Sequence, residues 1–127
     1  MIIADTGFWL ALADKRDNYH QQVNYFAKNC SERFISTYPV ITETCHLLLS
    51  RQGISAQLNF VKMYQLNAFD IFEIPEIDKH RIAALMQQYS DLPMDFSDAS
   101  LVLLAEHLGH GRILSTDKRD FHTYRWK

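Results

Sequence analysis

The feature that most limits how this chain can fold is an alternation of short apolar runs with longer amphipathic segments. The short runs are Met1–Ala4, Phe34–Ile35, Phe69–Ile74 and "RILSTD" at 112–117. Their length and their content of β-branched and aromatic residues predict strands. Strands that alternate with helices predict an α/β fold, a three-layer α/β/α sandwich in which helices cover both faces of a largely parallel sheet.

Capping residues indicate where the intervening helices begin and end. Ser36 or Thr37, followed by Pro39, predicts the start of a helix that stops at Gly53, and Gly109 ends another. Asp17-Asn18 is expected to cap a helix whose apolar face includes Tyr19, Val23, Phe26, Ala27 and Cys30. The remaining helices are predicted after Asp5 through Leu12, at Ser55–Leu66, at Asp78–Tyr89 and at Ser97–Leu108.

Length and composition favour a single soluble domain over residues 1–127. Hydrophobic residues make up 47% of the chain and charged residues 22%, which is ordinary for a globular protein. No apolar run is long enough to span a bilayer, and the first residues lack a basic leader, so a cytoplasmic location without membrane attachment is expected. The net charge of −2 excludes a protein that holds nucleic acid by surface charge alone.

Two aspartates come at the ends of predicted strands. Asp5 ends the first strand and Asp117 ends the last one. In a parallel sheet both would lie at the carboxyl edge, where α/β folds bind their ligands. The ordinary alternative for each is an Asp that caps the turn after its strand.

Glu43 is a carboxylate on the apolar stripe of a predicted helix. Its neighbours at i−3 and i+4 are Val40 and Leu47, so it does not lie opposite the apolar face. A buried carboxylate without a partner is costly. Glu43 therefore faces a polar pocket or a metal ion, unless it occupies a partly exposed flank or pairs with a basic residue.

The stretch "MDFSDASLVLLAEHLG" places two aspartates at the start of a helix. Asp95 suits the N-cap, and a second acid three residues later is also explained by capping. Asp98, however, lies one turn before the apolar Leu101 and Val102, so it is expected to face the edge of the sheet. The positive helix N-terminus is expected to favour its anionic form.

Several carboxylates at one edge repel each other unless a proton or a cation lies between them. Oxygen ligands without a set of His or Cys suit Mg²⁺ or Mn²⁺, and the six histidines are scattered. Acids with a divalent ion are typical of phosphoryl chemistry. The chain lacks the GxxxxGK[ST], GxGxxG and GxSxG motifs of other chemistries.

Four blocks of the sequence together resemble the PIN domain family, in particular its VapC-like toxins. In order they are "IIADTGFWLALAD", "VITETCHLLLS", "DLPMDFSDASLVLLAEHLG" and "RILSTDKRDF", and the match runs from Met1 to about Tyr124. The resemblance implies a compact α/β/α sandwich and a metal-dependent endoribonuclease. It also implies a homodimer, and a small antitoxin whose C-terminal segment lies across the site.

The resemblance also assigns the site residues. Asp5, Glu43, Asp98 and Asp117 correspond to the four acids of the family, which serve catalysis and hold the Mg²⁺ or Mn²⁺ ion. Supporting positions are Thr6 beside the first acid, Ser115 where the family often has Thr, and Asp95 and Asp120 near the site. The sequence thus predicts a divalent-metal-dependent endoribonuclease. The alternatives are a catalytically silent PIN-like module that binds RNA or protein, and a phosphatase of small phosphoesters.

Overall fold

The architecture is a parallel sheet flanked by helices. The computed structural model describes residues 1–92 and 94–115. The strands are β1 (Ile2–Ala4), β2 (Phe34–Thr37), β3 (Asp70–Phe72) and β4 (Ile113–Leu114). The helices are α1 (Thr6–Ala13), α2 (His20–Asn29), α3 (Tyr38–Gln52), α4 (Ile54–Gln65), α5 (Lys79–Gln88), which follows a 3₁₀ turn at Glu76–Asp78, and α6 (Phe96–Leu108).

The sheet confirms the predicted α/β class. Its strand order is β3-β2-β1-β4, and every pairing is parallel. Successive strand residues point to opposite faces, and all three residues of β1 are buried, so both faces of the central strand are covered. The sandwich predicted from the alternating pattern is therefore present.

The apolar core lies between the sheet and the helices around it. Trp9 and Phe8 from α1 are 2% exposed and pack edge to face with ring centroids 5.1 Å apart. Val40 and Leu48 from α3 and Leu104 from α6 are fully buried in the same cluster. A second cluster joins α5 to α6. These clusters fix the positions of α1, α3 and α6, which carry the candidate site residues.

Helix ends fall close to the predicted positions. Gly53 has φ of 101° and ends α3, and Gly109 has φ of 76° and ends α6. Both are left-handed values that glycine adopts at little cost. β3 is shorter than the predicted Phe69–Ile74 because it is an edge strand, and its pairing ends where β2 ends, at Thr37 opposite Phe72.

The part of "RILSTD" that the structure describes forms β4, and the predicted end of that strand at Asp117 lies outside the described residues. Within residues 1–92 and 94–115, the helices are all too short or too polar to span a bilayer.

Candidate functional site

Asp5 lies at the carboxyl edge of the sheet, directly after the central strand β1. Asp5 is 7% exposed, and its carboxylate accepts a hydrogen bond of 2.8 Å from the Phe8 N–H at the start of α1. Its backbone N–H donates to the Leu114 carbonyl of β4 at 3.3 Å. Asp5 therefore caps a helix, as the ordinary alternative expects, and also occupies the edge where an α/β fold binds ligands.

Glu43 is half-buried on α3 and has a neutral partner from α1. The Thr6 hydroxyl donates a hydrogen bond of 2.6 Å to Glu43 Oε1. This contact joins two residues that the sequence suggested separately, and the partner is not a basic side chain. A hydroxyl donor fixes the orientation of the carboxylate without neutralising its charge. Glu43 thus keeps its capacity to bind a cation or to orient a water molecule.

Asp95 and Asp98 form a reciprocal cap at the start of α6. The Asp98 N–H donates to Asp95 Oδ1 at 2.8 Å, and the Asp95 N–H donates to Asp98 Oδ2 at 3.3 Å. The prediction that Asp95 is the N-cap is confirmed. The structure also shows that Asp98 Oδ2 accepts a hydrogen bond from the Asp95 N–H, so one of the two carboxylate oxygens of Asp98 takes part in the cap.

The backbone N–H of Asp95 lowers the pKa of Asp98, in the direction expected at a helix N-terminus, but other effects outweigh it. The pKa of Asp98 is raised to about 7, chiefly by burial of the carboxyl group and next by the negative charge of Asp95, and Glu43 adds to the effect. A helix N-terminus contributes about 0.3–1 kcal/mol in favour of an anion, which is smaller than the effect of burial beside two other carboxylates. The dependence on Glu43 also shows that α3 and α6 bring these acids close together.

Two buried hydroxyls that the sequence did not suggest as site residues hold α6 against the end of β2. Thr37 Oγ1 lies 2.7 Å from Ser100 Oγ, and both residues are fully buried. Ser100 also hydrogen-bonds the Ser97 carbonyl at 2.6 Å. The bond fixes the first turn of α6, which contains Asp98, relative to the sheet. Small polar residues at a strand end were the only sequence signal, and that signal is also typical of an ordinary helix cap.

Of the predicted site residues near the C-terminal end, the structure describes Ser115. Ser115 is half-buried and directly follows β4, whose Leu114 pairs with Ala4, so Ser115 lies at the same edge as Asp5. Asp117 and Asp120 lie outside the described residues. Among the described residues, no three His, Cys, Asp or Glu side chains are grouped closely enough to be a metal site by themselves.

The donor set suits a hard divalent cation. The candidate acids among the described residues are Asp5, Glu43, Asp95 and Asp98, and they offer carboxylate oxygens only. The pKa of Asp98 is raised chiefly by burial of its carboxyl group, and the negative charges of Asp95 and Glu43 add to the shift; a bound cation would favour the anionic form. Such oxygen ligands fit Mg²⁺ or Mn²⁺ better than zinc.

Comparison with known proteins defines the class. The family model for the PIN domain matches residues 2–127, so the chain belongs to the PIN domain family. This confirms the resemblance carried by the four sequence blocks.

Two known proteins are similar to this chain. It is 24% identical to Ribonuclease VapC26 of Mycobacterium tuberculosis over 124 residues, which cover 98% of this chain and 92% of that protein. Its fold is similar to the crystal structure of the Mycobacterium tuberculosis toxin VapC20, described as cleaving the sarcin-ricin loop. That comparison has a TM-score of 0.87 and 17% identity, and it covers 98% of this chain and 96% of the other.

Proposed function

We propose that this chain is a divalent-metal-dependent endoribonuclease that hydrolyses RNA phosphodiester bonds, and that it is the toxin of a toxin-antitoxin pair. The observation that carries the proposal is the bond that joins Glu43 to Thr6, the residue after Asp5, with the negative charge of Glu43 also acting on Asp98, whose pKa is raised. Strongly shifted carboxyl groups are typical of functional sites. The names of the VapC26 and VapC20 relatives support ribonuclease activity and a toxin role.

The proposal gives each acid a role. Asp5, Asp98 and Asp117 would hold Mg²⁺ or Mn²⁺, directly or through water. The ion, when bound, polarises the scissile phosphate and lowers the pKa of water. Glu43, oriented by Thr6, would hold the attacking water in line with the leaving 3′-oxygen. The products would carry 5′-phosphate and 3′-hydroxyl ends.

The supporting residues act through these acids. Asp95 caps α6 and keeps Asp98 in place. Ser115 and Asp120 complete the edge in the proposal, and neither is assigned a ligand role. RNA is the substrate, a homodimer is the proposed assembly, and a small antitoxin is the proposed regulator. The proposed location is the cytoplasm, where RNA is accessible.

Cleavage of a labelled RNA in Mn²⁺ tests the enzymatic part. We expect wild type to cut internally and Asp5→Asn and Asp98→Asn to cut at least a hundredfold more slowly. Glu76→Gln is the matched control, because Glu76 is an exposed acid paired with Lys79 on the surface. Equal rates for wild type and the two Asn variants would refute the assignment of the acids. Mapping of the RNA ends checks the direction of cleavage.

Induced expression tests the toxin part separately. Wild type should arrest growth and Asp5→Asn should not, and a short neighbouring reading frame should restore growth when it is co-expressed. The second candidate is a catalytically silent module that binds RNA or protein. Calorimetry that shows no Mn²⁺ binding at neutral pH, together with intact RNA, would favour that module.

A further inference from the structure

A polar cleft with aromatic walls is formed by the start of α3, the end of α4 and β3. Its volume is about 530 Å³, and its lining includes Tyr38, Tyr64, Gln65 and Asn67. Tyr38 is 41% exposed and Tyr64 is 37% exposed. The Tyr64 ring contacts the ring of the buried Phe69, with centroids 6.4 Å apart, and the proposed chemistry uses neither tyrosine.

The two tyrosines hold each other in place. Their hydroxyl oxygens are 2.8 Å apart, and their rings meet edge to face with centroids 6.0 Å apart. The hydrogen bond to Tyr64 is the main cause that raises the pKa of Tyr38, and burial and the negative charge of Glu73 add to the effect. The result is a preformed aromatic wall rather than a pair of mobile surface side chains.

An ion pair fixes the other end of the cleft. The Arg33 guanidinium donates to the Asn67 carbonyl at 2.7 Å and to the Asp70 carboxylate at 2.8 Å. Asn67 has φ of 59°, a left-handed value that Asn tolerates better than most residues, and Arg33 holds this turn against β3. The cleft thus has two anchored ends.

The cleft and the candidate acids are connected through α3. Tyr38 directly follows Thr37, and Thr37 is hydrogen-bonded to Ser100 on the helix that carries Asp98. Tyr38 also begins α3, the helix that carries Glu43. An RNA strand with one phosphate at the acids can therefore continue along the start of α3 toward Tyr38.

We propose that this cleft binds one unpaired nucleobase of single-stranded RNA, stacked on Tyr38 and contacted at its edge by the amides of Gln65 and Asn67. Aromatic stacking suits every base, and amide groups offer both donors and acceptors to a base edge. The proposal rests on the proposed function, since it names the substrate class of the same site. The polar lining favours a base over an apolar protein segment.

Fluorescent RNA tests the proposal on the full chain. The probes are single-stranded oligoribonucleotides that carry one 2-aminopurine at successive positions, and EDTA keeps the RNA intact during the measurement. We expect quenching at one position and a dissociation constant about tenfold higher for Tyr38→Ala, the size of one base–aromatic stack. Tyr38→Phe keeps the ring but loses the bond to Tyr64, so it should keep the quenching and weaken binding only by the smaller factor expected of Tyr64→Phe.

The controls separate stacking from folding. Tyr38→Leu keeps apolar bulk without a ring and should bind as weakly as Tyr38→Ala. Tyr64→Phe removes the hydroxyl partner and should weaken binding by a smaller factor. Tyr25→Ala removes another exposed aromatic ring, on α2, and should leave binding unchanged. Equal urea midpoints for the Tyr38 variants confirm that they fold.

Three results would overturn the proposal. The first two are an unchanged affinity of Tyr38→Ala for RNA and an affinity of Tyr38→Leu equal to that of wild type. The third is that Tyr38→Ala loses RNA binding and, in sedimentation velocity, also dissociates from a dimer to a monomer. The last result would assign the cleft to a second copy of the chain. If wild type cuts no RNA but Tyr38-dependent quenching persists, the proposed function fails and this base site stands.

Discussion

At the scale of single residues, Asp98 carries the clearest electrostatic signature of the site. Its pKa is about 7 in the folded chain, against 3.8 for an ordinary Asp. A carboxyl whose folded pKa is the higher one binds more protons when folded, so the free energy of unfolding falls as pH rises from about 4 to about 7 and stays low above that. The contribution of Asp98 to the free energy of unfolding should therefore be less favourable at pH 8 than at pH 4.

Replacement of the carboxyl group by an amide should remove this penalty. We expect Asp98→Asn to raise the free energy of unfolding at pH 8 in EDTA by on the order of 1–2 kcal/mol, since each pKa unit corresponds to about 1.4 kcal/mol and water screens a half-exposed group. At pH 4 the change should be small. Urea unfolding at both pH values measures it, with the exposed Asp91→Asn as control. Equal effects of Asp98→Asn at the two pH values would contradict the prediction.

Thr6 should affect catalysis through Glu43. Thr6→Val keeps the shape of the side chain but removes the donor at 2.6 Å from Glu43 Oε1. RNA cleavage should fall roughly tenfold, which corresponds to about 1.4 kcal/mol of lost orientation. Thr6→Ser retains a hydroxyl and should stay close to wild type. Initial rates of RNA cleavage in Mn²⁺ measure the effect. If Thr6→Val cleaves as fast as Thr6→Ser, the Thr6 hydroxyl does not contribute to the role of Glu43 in catalysis.

At the scale of secondary structure elements, the contact between β2 and α6 depends on a buried pair of hydroxyls. Thr37→Val leaves Ser100 with one fewer buried hydrogen bond, so the free energy of unfolding should fall by about 1 kcal/mol. Thr44→Val is the matched control, because the buried Thr44 hydroxyl donates to the Val40 carbonyl of its own helix rather than to another element. Urea denaturation should show a larger loss for Thr37→Val. The prediction is wrong if the two losses are equal.

The helices and strands were predictable because periodicity and capping residues are local signals. Gly53 and Gly109 end their helices as expected, and Asp95 caps α6. The length of β3 was not predictable, since it depends on where its partner β2 stops. Local sequence indicates the type of each element, while pairing across the sheet sets its extent.

The candidate site was predictable to a similar degree. Strand ends and an acid on an apolar stripe indicated Asp5 and Glu43; Asp5 follows β1 at the carboxyl edge of the sheet, and Glu43 bonds to Thr6, the residue after Asp5. The Thr37–Ser100 bond and the charge state of Asp98 were not predictable. Each depends on contacts between residues far apart in the chain, and burial beside other carboxylates exceeds the local effect of the helix N-terminus.

At the scale of the whole molecule, the proposed site draws on acids from separate parts of the chain. Asp5 follows β1, Glu43 is on α3, and Asp98 is on α6. The core clusters fix α1, α3 and α6, and the charge of Glu43 on α3 raises the pKa of Asp98 on α6. An ion that binds only this folded arrangement should stabilise the entire domain by mass action.

The last prediction is a thermal shift with Mn²⁺. At a concentration one hundred times the dissociation constant, the ion should add about 2.7 kcal/mol to the free energy of unfolding. That corresponds to a rise of roughly 5–15 °C in the melting temperature for a domain of this size. The shift should be larger at pH 8 than at pH 6, because the ion binds the anionic form of Asp98, whose pKa is about 7. Differential scanning calorimetry of wild type measures the rise.

Variants decide whether the shift comes from this edge of the sheet. Asp5→Asn and Asp98→Asn should lose most of the rise, while Glu76→Gln, altered at an exposed ion pair, should keep it. A rise that is the same in all four proteins would place the ion elsewhere. A rise in wild type that is larger at pH 6 than at pH 8 would show that the ion does not compete with the proton of Asp98.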